Sequence, residues 1–421
     1  MAKLKIAVIG SGSTYTPELI SGFLDRKDTL KIGSIYMMDI DAHKNMILSG
    51  LARRMIEAKG LDIKLVISDC LEETISGADY IISQLRVGKL PARVLDEKIP
   101  LKYDLIGQET TGTGGFFKAL RTIPVMMEIA KLIEKHAPDA WLINFSNPSG
   151  IIAQMLSDHT KINFAGLCNE PINIERLLRK KLPEGASFDF DFVGLNHLNW
   201  VTKVVSDGKD VLNNFLTDEN VIARSALKDS SVLKIIKAIP SGYLRYYYDR
   251  DISLEKCKNL PRTRGEECME IENNLLEIYK DANLNEKPAL LEKRGGALYS
   301  EAACSLVESI ENNSGAVHVV NVNHKGTLPF LNKNDVAEVK CRVTKNGMEP
   351  LPLLDENINE HIVGLVRAIK SYEKLTIKAS VEKCYNSGLE ALMTHPLIID
   401  CSKAKAVYDE LLEAHKDYIS F

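Results

Sequence analysis

Residues 5–19 read KIAVIGSGSTYTPEL, and this stretch decides the fold. An apolar run from Ile6 to Ile9 ends in Gly10 and gives way to a helix pattern opening at Pro17. A continuous apolar run closed by glycine predicts a strand buried on both faces, as in a parallel sheet. Gly10 and Gly12, with Ser13 and Thr14, make the turn between that strand and the helix. Glycines there let the backbone approach a pyrophosphate, which rests on the helix N-terminus. The third glycine of this fingerprint would fall at position 15, where the chain carries Tyr15. Asp39 closes the next strand, SIYMMD, where it can take the ribose hydroxyls of a dinucleotide. An acid there favours NAD over NADP, because it repels a 2′-phosphate. The plain alternative is an ordinary strand-to-helix turn with a capping serine.

Outward from this unit, strands and helices alternate. Strands are predicted at 34–39, 64–69, 80–85, 141–145 and 163–168, and helices at 17–25, 42–59, 118–135 and 151–159. Alternation at this spacing makes a doubly wound parallel sheet. From about residue 170 long helical patterns dominate, at 231–238, 266–282, 302–312, 357–373 and 402–418. Strand-like pieces interrupt them at 190–194, 317–323 and 337–343. The predicted fold is α/β. A Rossmann-like, doubly wound parallel sheet occupies 1–170 as the NAD-binding domain, and a mixed α/β domain for metal and substrate occupies 171–421.

The 421 residues allow two or three domains. They are 45% hydrophobic and 26% charged, with a net charge of −4, so no global basic field invites nucleic acid. No apolar window reaches the ~18 residues of a membrane span. The segment Met1-Ala2-Lys3-Leu4-Lys5 runs straight into a predicted strand, so no secretory leader is expected. Eight cysteines show no paired spacing, which predicts reduced thiols and a cytoplasmic protein. Neither nucleic acid nor membrane is an expected partner.

The remaining motifs carry chemistry. Arg86-Val87-Gly88 and Arg93 follow the fourth strand, and two arginines there suit a phosphate or a carboxylate; solvated ion pairs are the alternative. Residues 107–115, GQETTGTGG, read as a glycine-dense functional loop. The fifth strand runs into Asn144-Phe145-Ser146-Asn147-Pro148. Lactate and malate dehydrogenases resemble the chain here, with Asn-Pro at this point. Cys168 closes a strand in GLCNEP, and His197 sits in GLNHLNW. Thiolate and imidazole both suit a borderline divalent ion. Two ligands make an open site, since a closed structural zinc site needs four. On spacing alone, a core cysteine and an unrelated histidine remain the alternative.

Taken in order, VIGSGSTYTPEL, RVG with Arg93, GQETTGTGG, NFSNPSG, GLCNEPIN, GLNHLNW, GYLRYY around Tyr243 and RGGALYS from Arg294 span nearly the whole chain. With these motifs it resembles glycoside hydrolase family 4, the NAD- and divalent-metal-dependent 6-phosphoglycosidases. The resemblance implies hydrolysis through a transient redox step. Hydride leaves carbon 3 of the sugar for NAD⁺, and a divalent ion on Cys168 and His197, expected to be Mn²⁺, polarises the ketone. Tyr243 then removes the carbon-2 proton, elimination expels the aglycone, water adds back and the hydride returns. By the same resemblance Arg93, Asn147 and Arg264 contact the phosphorylated sugar, with Arg262 a rival to Arg264. Asn169, also expected at the substrate, stands where α-specific members carry an acid. The CN-x-P sequence therefore resembles the 6-phospho-β-glucosidase branch, with the α branch as the alternative. That leaves the leaving-group acid unassigned, and Glu109 is a candidate by chemistry alone. The family also implies a homodimer or homotetramer.

Two other readings compete. A 2-hydroxy-acid dehydrogenase of the lactate/malate type needs its histidine in a His-Gly setting, whereas His197 sits in Asn-His-Leu. A non-enzymatic NAD-binding regulator explains Gly10 and Asp39 but not Cys168, His197 and Tyr243 together.

Overall fold

The computed structural model describes residues 3–294 and 298–421; positions 295–297 of the RGGALYS motif lie outside the described residues. The predicted parallel core is present. Strands β1 (Leu4–Ile9), β2 (Ile32–Met38), β3 (Lys64–Ser68), β4 (Tyr80–Ser83), β5 (Trp141–Asn144) and β6 (Asn163–Gly166) pair in parallel, in the spatial order 3-2-1-4-5-6. They read as apolar runs because both faces are covered: Ile6, Val8, Ile81, Ile82, Leu142 and Ile143 are all fully buried. The helices Thr16–Leu24 and Gly112–His136 add Ile20, Phe23, Phe116 and Ile123 to the same core.

The C-terminal half contributes a second sheet and extends the first. The hairpin β7 (Phe188–Leu195) and β8 (Leu198–Ser206), with β9 (Lys209–Asp210) and β10 (Ile239–Pro240), is antiparallel over its own small core of Phe190, Phe192, Val201 and Val204. Beyond it, β11 (Val317–Asn323) lies antiparallel against β6, and β12 (Val336–Thr344) and β13 (Gly347–Pro350) follow. The described residues thus form one nine-stranded sheet built from both sides of residue 170. The hairpin is tied to it, since β7 packs against β12.

Two segments differ from expectation. Gly112 to Gly115 are not loop but the first turn of the helix Gly112–His136. A Cβ on Gly114 would lie 2.2 Å from the Gln108 carbonyl oxygen, so the glycines serve close packing. Arg93 lies inside the helix Lys89–Leu101, which Gly88 starts at φ 82°. All eight cysteines are free thiols, and no helix among the described residues is long and apolar enough to cross a membrane.

Candidate active site

Gly10, Asp39, Arg86, Asn147 and Cys168 all follow the carboxyl ends of parallel strands. The strand order reverses between β1 and β4, where an open α/β sheet leaves its ligand crevice. Gly10 has φ 84°, and a Cβ on it would stand 2.8 Å from the Leu85 nitrogen. The Gly12 N–H donates to Asp39 Oδ2 at 2.8 Å, and the Asp41 N–H donates to Oδ1 at 2.8 Å. The acid at the end of β2 is thereby held against the phosphate turn. Ser13 is half-buried in that turn, and the hydroxyl of Thr14 is buried with no protein partner among the described residues. No side chain caps the helix Thr16–Leu24, whose N-terminus carries the positive end of the helix dipole. Tyr15, in place of the third glycine, forms cavity wall beside the Arg294 guanidinium, 5.4 Å from its ring centre. Turn, helix end and acid together fit a dinucleotide.

Beside this turn opens a cavity of about 470 Å³. Tyr243, Cys168, His197, Arg93, Asn147, Asn169 and Arg264 all line it, although only Cys168 and Asn169 are neighbours in the sequence. His197 reaches it from the tight turn between β7 and β8, at φ 62°. That turn depends on Gly194, at φ 140°, whose added Cβ would lie 2.1 Å from the Leu198 oxygen.

Cys168 Sγ and His197 Nε2 are 3.6 Å apart. Ligands at about 2.3 Å (sulfur) and about 2.1 Å (nitrogen) on one tetrahedral ion would be separated by roughly that distance. Burial lowers the His197 pKa from 6.5 to about 4, so the ring is neutral and keeps a lone pair. Burial, reinforced by the Glu338 carboxylate, pushes the Cys168 thiol well up, while the Glu170 N–H and the Asn196 side chain donate to its sulfur. Cys168 and His197 would hold a divalent ion as thiolate and neutral imidazole, and such an ion would favour the thiolate. No group of three or more His, Cys, Asp or Glu side chains suited to a metal occurs among the described residues. The chemistry and spacing of the pair fit two ligands of one divalent ion.

Tyr243 packs beside this pair, its ring centre 4.2 Å from that of His197 and the two planes tilted by 40°. The Arg245 guanidinium also lines the cavity and interacts electrostatically with the Tyr243 phenol. Its neighbours are engaged elsewhere: Tyr247 OH bonds Thr111 Oγ1 at 2.8 Å, and Tyr248 OH accepts from Trp200 Nε1 at 3.0 Å. Tyr246 also faces the cavity, 5.1 Å from the Arg245 guanidinium.

The cationic wall bears on one expectation. Glu109 is buried and ion-paired with Arg86, Lys118 and Arg93, the last at 2.5 Å. Burial alone would raise its pKa, but the three cations hold the carboxyl well below its usual range. Such pairing disfavours the protonated form that a leaving-group acid needs, which weighs against Glu109 in that role. Arg93 also bonds Glu97 at 2.7 Å, which leaves it fixed and charged in the wall. Of the rival arginines, Arg264 lines the cavity, whereas Arg262 pairs with Glu270 away from it. Glu338 of β12 escaped the sequence reading. It accepts from Asn196 at 3.1 Å, Asn199 at 2.8 Å and Asn321 at 2.9 Å, and so braces the His197 turn from 140 residues away. Nothing local in the sequence marks it.

Comparison with known proteins places these features in context. The family 4 glycosyl hydrolase model matches residues 5–184, and the model of that family's C-terminal domain matches 192–398. A probable 6-phospho-β-glucosidase of Bacillus subtilis is 40% identical, with 99% of this chain and 97% of the relative covered. A maltose-6′-phosphate glucosidase of the same organism is 28% identical over 98% of this chain and 96% of the relative. The 6-phospho-β-glucosidase of Thermotoga maritima, solved with manganese, NAD⁺ and glucose 6-phosphate, superposes with a TM-score of 0.90 at 35% identity, covering 99% of this chain and all of that one.

Proposed function

The chain belongs to family 4 of the glycosyl hydrolases, and on that premise we propose that it hydrolyses 6-phospho-β-glucosides to glucose 6-phosphate and an aglycone, using NAD and a divalent ion, Mn²⁺ by preference. The observation that carries this reading is the meeting of Cys168, His197 and Tyr243 in one cavity that Arg93 and Arg264 also line. Bound NAD supplies a temporary hydride store for sugar carbon 3 and the ion a Lewis acid, so the sum is hydrolysis without net redox change.

The chain's own residues do the rest. The turn at Gly10, Gly12, Ser13 and Thr14 receives the pyrophosphate, and Asp39 accepts the ribose hydroxyls. Cys168 and His197 hold the cation; the neutral His197 needs no deprotonation to do so. Tyr243 takes the carbon-2 proton, with Arg245 stabilising the phenolate. Arg93, Asn147 and Arg264 hold the phosphate end of the sugar, and Asn169 contacts the sugar beside Cys168. Residues 1–170 form the cofactor half and 171–421 supply His197, Tyr243 and Arg264. Asn169 cannot protonate a leaving group, which favours the β anomer. The phosphorylated substrate, NAD and eight reduced thiols suit a cytoplasmic enzyme, working as a homodimer or homotetramer.

The test is a hydrolysis panel: p-nitrophenyl α- and β-glucosides and galactosides, each with and without a 6-phosphate, in NAD⁺ and Mn²⁺. Turnover confined to the 6-phospho-β-glucoside is expected. Equal turnover of plain and phosphorylated sugars removes the phosphate assignment, and preference for the α anomer removes the Asn169 argument.

A further inference from the structure

His197 lines two cavities, and the second is not part of the substrate site. It is small, about 20 Å³, which is room for a single water. Its wall is shared by Asn196, His197, Tyr247, Glu373, Thr111 and His395. The imidazole separates the two spaces. Its Nε2 stands 3.6 Å from Cys168 Sγ, which lines only the large cavity. Its Nδ1 is buried with no protein partner among the described residues, and so is Asn196 Oδ1.

Glu373 stands across this space. It is 4% exposed and belongs to the helix Glu360–Val381. Its Oε2 is taken by Lys370, which also bonds Gln154 at 3.1 Å. Its Oε1 reaches toward the His197 turn: a Cβ on Gly150 would lie 3.1 Å from both Glu373 Oε1 and Asn196 Cβ. Thr111 and His395 already bond each other at 3.3 Å, and Tyr247 is bonded to Thr111. A water here thus has a ring N–H, a carboxylate oxygen and an amide oxygen to bond, enough to hold it.

We propose that Glu373 is a positioning residue for the metal ligand His197, accepting through one buried water the proton on Nδ1 and so keeping the Nε2 lone pair turned toward Cys168. Such a partner fixes the tautomer and ring orientation of a ligating histidine and makes it a stronger donor. The placement explains a buried carboxylate that touches neither substrate cavity nor cofactor turn. It rests on the reading of His197 as a metal ligand.

The experiment is titration of Mn²⁺ into the NAD-loaded enzyme, followed by the electron-spin signal of the free ion. His197→Ala is compared with Glu373→Gln, and with Glu373→Gln/Lys370→Met, which leaves no buried ammonium unpaired. The Glu373 variants should bind Mn²⁺ about 10–100-fold more weakly, and His197→Ala should not bind it measurably. Unchanged affinity in His197→Ala overturns the metal reading itself. Loss in His197→Ala with affinity within twofold of wild type in a folded Glu373 variant overturns the role of Glu373 alone. Nitrogen-15 shifts of the histidine rings in the unmodified, metal-free protein supply a second readout. His197 should carry its proton on Nδ1; a proton on Nε2 overturns the proposal without any variant.

Discussion

Tyr243 and Cys168 sit within one residue's reach of each other's partner, His197, yet they make separable demands on the chemistry. If Tyr243 is the base, turnover in deuterated water places deuterium at carbon 2 of the released glucose 6-phosphate, while carbon 3 keeps its hydrogen. Tyr243→Phe keeps the ring against His197 and removes the phenolic oxygen. It should bind NAD⁺ and Mn²⁺ normally and lose roughly 10²–10⁴-fold in kcat, with the exchange lost in parallel. Normal hydrolysis and exchange in that variant would move the role to Tyr246, the other cavity-facing tyrosine of this segment. Cys168→Ser tests the other demand. A serine hydroxyl is a poor substitute for a soft thiolate donor, so Mn²⁺-dependent hydrolysis should vanish while NAD binding, measured by fluorescence quenching, persists. Full activity would remove the metal assignment. These residues were legible because each lies in a short motif. Glu338 and Glu373 were not, because the residues of the His197 turn lie about 140 and about 176 positions from them and only the folded chain brings them there.

At the scale of elements, the parallel core was legible from its apolar runs, but the cationic wall was not. The helix Lys89–Leu101 contains Pro91 and Pro100 and carries Arg93, Asp96 and Glu97 on buried positions, so hydrophobic periodicity fails there. Its charges are buried because they are paired: Arg121 with Asp96, Arg93 with Glu97 and Glu109. The same pairing makes the wall rigid. Gly107 locks the loop carrying Glu109 against this helix, since a Cβ there would fall 1.8 Å from the Glu97 carbonyl oxygen. Backbone cannot yield as a flexible side chain can. Gly107→Ala should therefore cost about 1–3 kcal/mol in chemical denaturation, the range for overpacked interiors. It should also lower kcat/KM for the phosphorylated substrate more than for binding of NAD, because the displaced loop carries Glu109 and through it Arg93. A variant with wild-type stability would show that the loop and helix separate freely.

The whole molecule depends on contacts between its N- and C-terminal halves, and one of them contributes to its behaviour in acid. His395, 1% exposed, reaches back to the start of the helix Gly112–His136. Its Nε2 faces the Gly112 N–H at 3.1 Å, and its Nδ1 faces the Leu397 N–H at 3.1 Å. A neutral ring accepts at only one of these nitrogens, and a second ring proton removes that acceptor, leaving the neutral Thr111 Oγ1, 3.3 Å from Nε2, as partner. Tyr372 and Tyr247 pack around it and offer no counter-charge. Burial accordingly lowers its pKa from 6.5 to about 3. The folded state therefore binds fewer protons than the unfolded chain below pH 6.5. Stability is fully present above that pH and is lost as the pH falls toward the folded value. One such group gives a slope of about 1.4 kcal/mol per pH unit in this window. Urea denaturation at steps from pH 7.5 to 4.5 should show stability falling toward acid more steeply in the wild type than in His395→Gln. The comparison isolates the histidine, because carboxylates titrating in the same range, Glu338 among them, are common to both proteins. Parallel curves would mean that His395 accepts its proton without opening the contact at Gly112, and that the two halves are joined in acid by other means.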